Sequence, residues 1–252
     1  MSGVTTVTVS VNEARGNAIE RWFYIGIAIA TLLTVIAGFG PSMVDTSARK
    51  AEVSALAVVH GVLFLAWLLV FLAQTTLVAT GRIALHRHLG TFCMLLVPLM
   101  IIVGYLTTIS MVRRGFDLSG DLHIEGDAFG QAVFPLGDLV IFGSLVLAGY
   151  LYRRRPEVHK RLMVLATVGG LMPAPLAHIV GHNPALRTKG PIILVPIALF
   201  LFAQAVYDRI YFKRFHPVSL WVAIVVFVYM NILAAVVGPS PAWHRLMARL
   251  VQ

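Results

Sequence analysis

The sequence predicts an all-α polytopic membrane protein, from its composition and from the length of its apolar runs. Of the 252 residues, 58% are hydrophobic and only 12% are charged, and the mean hydropathy is +0.84. Soluble domains average about 45–50% apolar and about 25% charged residues. This composition excludes a soluble globular chain and a disordered chain. The runs lack the alternating pattern of membrane strands, so helices are predicted.

Seven apolar runs reach or approach the length of a membrane-crossing helix. A hydrocarbon core of about 30 Å requires roughly 20 residues in helical conformation. The runs, numbered spans one to seven, are Trp22–Gly40, Val53–Thr80, Leu89–Val112, Ala128–Tyr152, Leu162–Gly181, Gly190–Tyr207 and Pro217–Gly238. Most connections between them are too short for a second domain. Residues 21–239 are therefore predicted to form one seven-helix transmembrane domain.

The two ends of the chain differ from the spans. Residues 1–20 are polar and small and have no apolar stretch of their own, which predicts a mobile tail and no cleaved signal peptide. At the other end, Ser240 and Pro241 suit the N-cap and the first position of a helix. Apolar residues then recur at helical spacing: Trp243, Leu246, Met247, Leu250 and Val251. Residues 240–252 are predicted to form a short helix lying in the membrane interface.

The net charge of +9 is explained by the loops between spans rather than by a nucleic-acid partner. Most of the 20 Lys and Arg residues fall in the segments that are cytoplasmic if the N-terminus is cytoplasmic. This bias predicts a cytoplasmic N-terminus and a C-terminus outside. The single cysteine, Cys93, excludes a disulfide framework and a Cys-rich zinc or iron–sulfur site.

Two similar segments suggest an internal repeat. His86–Leu89 opens span three, and His159–Leu162 opens span five. Each segment follows a long apolar span and a basic turn. Spans two–three and four–five are therefore predicted to be parallel copies of a helical hairpin. Such a duplication forms a four-helix core with sites between facing helices. The alternative is that basic residues recur at every cytoplasmic helix end.

Polar residues inside the spans carry the functional argument, because ionisable groups in hydrocarbon cost about 2.5–3.5 kcal/mol each on insertion scales. One group falls in an outer layer: His60, Asp138, His178, His182 and, if the C-terminal helix folds back, His244. The i, i+4 spacing places His178 and His182 on one helical side. Three imidazoles and a carboxylate suit zinc, copper or non-haem iron. The alternative for His60 and Asp138 is a buried hydrogen-bonded pair that joins two helices.

A second group falls in an inner layer: His86, His88 and His159, with Gln74 and Gln204 at similar depth. Two neutral histidines from facing helices are the ligands that a b-type haem accepts from both sides. The outer layer offers a second such pair, His60 with His178. The alternative is that the inner histidines contact lipid headgroups or water. Gln74, Gln204 and Asn231 of span seven are the remaining intramembrane polar residues, and the two glutamines suit helix–helix hydrogen bonds.

Two stretches and the end of the chain show a recognisable pattern. The first stretch contains His60-Gly61, Trp67, Gln74, Arg82 and His86–Gly90, the second contains Asp138, Arg153–Glu157 and His159–Met163, and the ending is Trp243-His244. They resemble a group of bacterial multi-span membrane proteins without a settled activity. The resemblance covers about residues 55–250 and implies a helical fold in a bacterial inner membrane, with a periplasmic C-terminus. Such proteins often carry an arginine late in span five, where this chain has His178.

Two functions of different classes follow. The first is a redox protein, similar to the cytochrome b561 and ferric-reductase type, which binds haem b or a transition metal (Cu, Fe or Zn) through its histidines. Electrons would pass from a cytoplasmic or quinone donor to an outside acceptor. The alternative is a small transporter, a proton-coupled carrier or an assembly subunit that uses His60 and Asp138 as a protonatable pair. A metal enzyme at the outer histidines is a third hypothesis. The lipid bilayer, a quinone or small-molecule substrate and further subunits are the expected partners.

Overall fold

Seven membrane-spanning helices build the protein in a computed structural model that is 82% helical and contains no strand among its described residues. The structure describes residues 3–47, 50–117, 120, 122, 126–187 and 192–252, with side chains from residue 18 onward except at position 187. The spans are Ala18–Val44, Ala55–Ala79, Ile83–Arg114, Ala128–Leu151, Pro156–Gly181, Leu194–Tyr211 and Val218–Val237. The predicted all-α polytopic fold is confirmed. The chain is an integral, multi-pass membrane protein whose surface contacts the lipid bilayer.

The helices follow the predicted runs with shifted ends. They are α1 Gly3–Val44, α2 Ala55–Ala79, α3 Ile83–Cys93, α4 Leu96–Arg114, α5 Ala128–Gln131, α6 Val133–Leu151, α7 Pro156–Leu171, α8 Pro173–Gly181, α9 Pro184–Arg187, α10 Leu194–Tyr211, α11 Ala223–Ile232 and α12 Pro241–Leu250. α1 begins within the segment predicted as a tail, whose mobility stays a prediction. π-helical segments, Val218–Val222 and Leu233–Val237, flank α11.

Spans three and five are each divided into two longer helices, and span four is broken near its start, at Ala132. Span five changes from α7 to α8 at Met172, directly before Pro173, because proline lacks the backbone N–H and its ring clashes with the preceding turn. Span three changes from α3 to α4 through a turn at Met94 and Leu95. In spans three and five, polar residues near the start and near the end of the span therefore lie on different helices.

Span five forms the centre of the bundle. Two thirds (67%) of its apolar window is buried, against at most 39% in any other span. Trp67 of span two donates from Nε1 to Thr167 Oγ1 of span five at 3.2 Å, and its ring meets the edge of Phe142 of span four. Spans two, four and five are therefore locked together, in agreement with a core built from the two predicted hairpins. Their duplication stays a prediction.

The odd-numbered spans begin at one end of the bundle, called the lower end, and finish at the other, called the upper end. At the lower end Lys160 of span five meets Glu20 of span one, and at the upper end His182 meets Ser42. Helix α12 covers part of the upper end. Its N-cap Ser240 accepts from the N–H of Trp243 at 3.2 Å, as the sequence predicts.

The contacts of α12 are made largely with protein. Trp243 donates from Nε1 to the Phe129 carbonyl at 2.8 Å, and Met247 is fully buried in a small cluster with Ile109, Val112 and Ala132. The side of α12 that carries Trp243 and Met247 therefore packs on the ends of spans three and four. Leu246 and Leu250 stay exposed beside it.

Candidate functional site

Two imidazoles from different spans lie side by side at the lower end. The ring centroids of His86 in α3 and His159 in α7 are 6.2 Å apart, and the ring planes are nearly perpendicular at 82°. Nδ1 of His159 lies 2.8 Å from the carbonyl oxygen of Gly149 in α6. A hydrogen bond to a backbone carbonyl fixes the tautomer and the orientation of an imidazole and leaves Nε2 available to a ligand.

Unsatisfied polar atoms accompany this pair. Nδ1 of His86 and Oε1 of Gln74 are buried and have no hydrogen-bond partner among the described residues. Gln74 reaches span three at Gly90, where an added Cβ would lie 3.2 Å from Gln74 Nε2, and the His86 ring interacts with the Gln74 backbone. Buried polar groups are normally paired, so two orphaned atoms beside two imidazoles mark a place suited to a ligand. We call His86, His159 and Gln74 the imidazole site.

The structure thus assembles part of the predicted inner layer. His86, His159 and Gln74 come together from spans three, five and two. His88 is exposed on the surface of α3, on a different side of the helix. Gln204 belongs to another cluster, where its Nε2 donates to the Tyr24 hydroxyl of span one at 2.8 Å.

A buried ion pair beside the imidazole site is absent from the sequence-based prediction. Arg161 of α7 and Asp208 of α10 have side chains only 2% and 1% exposed. Arg161 donates from Nε to Asp208 Oδ2 at 3.1 Å and from Nη2 to Oδ1. The hydroxyl of Ser219, from span seven, donates to the same carboxylate. Spans five, six and seven therefore share one bidentate pair, the arrangement in which a buried guanidinium and carboxylate are best satisfied.

Further charges extend the pair into a network. Arg161 Nη1 donates to Glu157 Oε2 at 2.7 Å and to the Glu157 carbonyl at 2.8 Å. Lys160 contacts Glu157 Oε1 at 2.6 Å and also Glu20 of span one. We call the set of Glu20, Glu157, Lys160, Arg161, Asp208 and Ser219 the lower ion network.

The predicted boundaries explain why the network was missed. Span six was predicted to end at Tyr207, one residue before Asp208, and span five to begin at Leu162, one residue after Arg161. Both boundaries are wrong, because span six extends to Tyr211 and span five begins at Pro156. The sequence feature that indicates the longer span six is Asp208-Arg209, two charged residues directly after an apolar run.

The predicted outer layer separates into several places. His178 Nε2 lies 3.9 Å from Asp117 Oδ2, with both side chains buried, and the rings of His178 and His182 are 6.2 Å apart. His182 Nε2 contacts the Ser42 hydroxyl at 3.1 Å. The i, i+4 spacing therefore brings these two histidines together as predicted. Their carboxylate neighbour is Asp117, from the loop after span three, rather than Asp138.

No described contact pairs His60 with Asp138. The His60 ring stacks on Phe64 of its own helix at 4.1 Å. The residue next to Asp138, Gly137, packs against Leu233 of span seven. Among the described residues no hydrogen bond, ion pair or ring contact joins His60 to Asp138, or either of them to His178.

The remaining predicted residues are placed as follows. Asn231 donates to the Phe227 carbonyl of its own helix at 2.8 Å, and it has no hydrogen bond to a second span within the described ranges. His244 lies at the upper end beside Asp127. Within the described ranges no group of three or more His, Cys, Asp or Glu side chains is arranged to hold a metal ion. The five predicted metal ligands are therefore not gathered in one place, and metal binding by any of them stays a prediction.

Charge holds α12 at the upper end. His244 Nδ1 lies 3.0 Å from the Ser240 carbonyl, and His244 Nε2 lies 2.9 Å from Asp127 Oδ1. The contact with Ser240 and, to a smaller extent, the contact with Asp127 raise the pKa of His244 above 6.5. The N–H of Gly130 donates to the Asp127 carboxylate at 2.8 Å and, with His244, lowers the pKa of Asp127 below 3.8. Both shifts favour the charged forms that pair.

Docking of α12 is therefore expected to depend on pH. The contribution of His244 is fully present below pH 6.5 and is lost as pH rises through its raised pKa; that of Asp127 is present above pH 3.8 and is lost as pH falls through its lowered pKa. Hydrogen exchange of the α12 amides, corrected for intrinsic rates, should be slowest between pH 3.8 and pH 6.5 and faster at alkaline pH. The non-titrating variant His244→Gln should remove the alkaline change, and an unchanged profile in that variant would contradict the assignment.

Comparisons with known proteins find no match to the chain. No protein-family model matches the chain, and no curated protein and no solved structure matches it. The function proposed below is therefore argued from the geometry of the imidazole site.

Proposed function

We propose that this membrane protein is a redox protein that binds haem b or a single transition-metal ion at the imidazole site. The observation that carries the proposal is the approach of His86 and His159, from spans three and five, to a ring-centroid distance of 6.2 Å. Metal–imidazole bonds are about 2.0–2.1 Å long for zinc, so two rings at this spacing are near enough to share one metal centre. Neutral histidine from facing helices is also the ligand type of b-type haem.

The surroundings of the two rings fit such a group. The Gly149 carbonyl orients His159 through Nδ1, as outer-shell partners of metal ligands do. The orphaned Nδ1 of His86 and Oε1 of Gln74 supply two more polar atoms at the same place. When bound, the iron or other transition ion supplies one-electron transfer. The chain itself holds the imidazoles in position, and its apolar spans restrict the access of water.

Charge suggests the direction of the electron path. Arginines crowd the lower end at Arg82, Arg87 and Arg153–Arg155, and such loops remain on the cytoplasmic side in bacterial inner membranes. The proposal therefore places the lower end and the imidazole site near the cytoplasm. The donor class is a cytoplasmic reductant or a membrane quinone, and the acceptor lies outside. A non-redox carrier or an assembly subunit is the alternative function.

The first experiment is an absorption spectrum of the detergent-purified full chain, oxidised and then reduced with dithionite, together with elemental analysis. Haem should give a Soret band and sharp reduced bands of a bis-histidine b-type centre; a non-haem ion should appear as about one equivalent of metal per chain. His86→Ala and His159→Ala should each lose the group. His88→Ala is the matched control, because His88 is exposed on the same helix, and it should retain the group.

The outcomes separate the alternatives. A featureless spectrum and a metal-free sample from well-folded protein would remove the redox function and favour the carrier or assembly function. Retention of the group in both alanine variants would contradict the ligand assignment even if the protein binds haem or metal. Circular dichroism of each variant checks that the helix content is unchanged.

A further inference from the structure

A carboxyl group without a pairing partner lies inside span four. Asp138 follows Ala128, where the span begins, by ten positions, which places it about 15 Å along the helix. The side chain is partly buried. Among the described residues it has no hydrogen bond and no ion pair, in contrast to Asp208, which has a guanidinium and a hydroxyl. Ionisable groups at this depth are costly and are retained mostly where they function.

Tyr229 of span seven is a titratable residue that packs on span four next to Asp138, at Gly137. The two spans are in tight contact here, since an added Cβ on the neighbouring Gly137 would lie 2.2 Å from Leu233 Cδ1 and 3.6 Å from Tyr229 Cε1. Span three, which also packs on span four, carries Tyr105 in its middle, and that residue is exposed. The charged residues of span five lie at its lower end, in the ion network, and His178 at its upper end pairs with Asp117.

An apolar groove of about 370 Å³ runs between spans four and seven below Asp138. Ile141 and Leu145, which follow Asp138 by three and seven positions, line it and therefore lie on the same side of the helix as Asp138. Tyr229 lines the opposite wall. The groove thus begins about one turn below Asp138 on span four, and Tyr229 of span seven lies at its edge.

π-helical turns flank the wall formed by span seven. α11 lies between Val218–Val222 and Leu233–Val237, and Leu233 is the residue in contact with Gly137. π-helical turns are rare and are frequent at functional sites, because they re-aim side chains within a helix. This observation is independent of the missing partner of Asp138 and points to the same place.

We propose that Asp138 is a proton-binding carboxyl in the membrane interior that exchanges a proton beside Tyr229, between spans four and seven. An ionised carboxylate there lacks the cation that Asp208 has, whereas the protonated carboxyl needs none. The proposal involves other residues than the imidazole site, so each can fail without the other.

The test uses dicyclohexylcarbodiimide, an apolar reagent that enters the membrane and reacts with protonated carboxyl groups. A carboxyl oxygen bonds to the central carbon of the reagent, the carboxyl proton moves to a reagent nitrogen, and rearrangement leaves a stable N-acylurea; no group departs. The full chain in liposomes at neutral pH should gain one adduct with the full mass of the reagent, located at Asp138 by peptide mass spectrometry. Labelling should fall as the pH is made alkaline.

Three comparisons make the result decisive. Asp138→Asn should lose the adduct and keep the melting temperature of the native chain, since the amide resembles the neutral carboxyl. Asp208, in its ion pair, should stay unlabelled, as should exposed Asp45, whose pKa is lowered by hydrogen bonds from Ser47. An unlabelled Asp138, or equal labelling of Asp138 and Asp45, would overturn the proposal. Because labelling is read on the native chain, a variant that fails to fold leaves the test intact.

Discussion

Arg161→Ala is expected to lower the free energy of unfolding by about 3–5 kcal/mol, because removing one member of a buried ion pair leaves an uncompensated charge. Arg161 is 2% exposed and gives both Nε and Nη2 to Asp208. In the alanine variant the Asp208 carboxylate would keep only the Ser219 hydroxyl as a described partner. Spans five, six and seven would lose their shared contact at the lower end.

A double-mutant cycle in detergent measures this effect. Arg161→Met alone and Asp208→Leu alone should each be similarly damaging, whereas the double variant should recover much of the loss, since apolar replacements of both partners remove the unpaired charge. Arg154→Ala, at an exposed position of the preceding turn, is the matched control and should change stability by no more than about 0.5 kcal/mol. Simple additivity of the two single losses would show that the residues are not coupled.

The spans themselves were predictable because hydrocarbon imposes a length of apolar helix on the sequence. Each of the seven predicted runs overlaps one observed span, and the N-cap at Ser240 was read correctly. Ends were less accurate, because a charged residue at a helix end can either reach water or be buried against a neighbouring span. Arg161 and Asp208, 47 residues apart in sequence, are buried against neighbouring spans. This burial becomes evident only from the packing of spans five, six and seven.

Depth along a span was also predictable, but direction around the bundle was not. The sequence predicts His60 and Asp138 in one layer, but no described contact joins them. His86 and His159 do meet, because both lie in the first turns of spans that begin at the lower end. Local spacing succeeded where both residues share one helix, as with His178 and His182.

The first turns of α7 tie most of the bundle together. Successive residues of an α-helix are about 100° apart around its axis, so three consecutive side chains face three directions. His159 meets His86 of span three, Lys160 meets Glu20 of span one, and Arg161 meets Asp208 of span six. The proposed ligand His159 is thus held on the helix that the lower ion network fixes. Rigid placement of this kind is what a metal ligand requires.

Gly170→Ala is expected to destabilise the protein by about 3 kcal/mol, because spans four and five approach each other through backbone at this position. A Cβ on Gly170 would lie 2.6 Å from Phe142 Cβ and 2.9 Å from both the Cα and the backbone nitrogen of Phe142. Backbone cannot turn aside as a flexible side chain can, so the two spans must separate. Trp67 packs against the same Phe142 and donates to Thr167, and that contact would be strained as well.

The matched control is Gly61→Ala, in the helix of span two, where nothing lies within 4 Å of an added Cβ. Alanine there should be neutral or stabilising by up to about 1 kcal/mol, since it favours helix more than glycine does. Thermal unfolding of both variants in the same detergent, followed by circular dichroism and by tryptophan fluorescence, compares one added methyl group in two settings. Equal stability of the two variants would mean that spans four and five are not in backbone contact at Gly170.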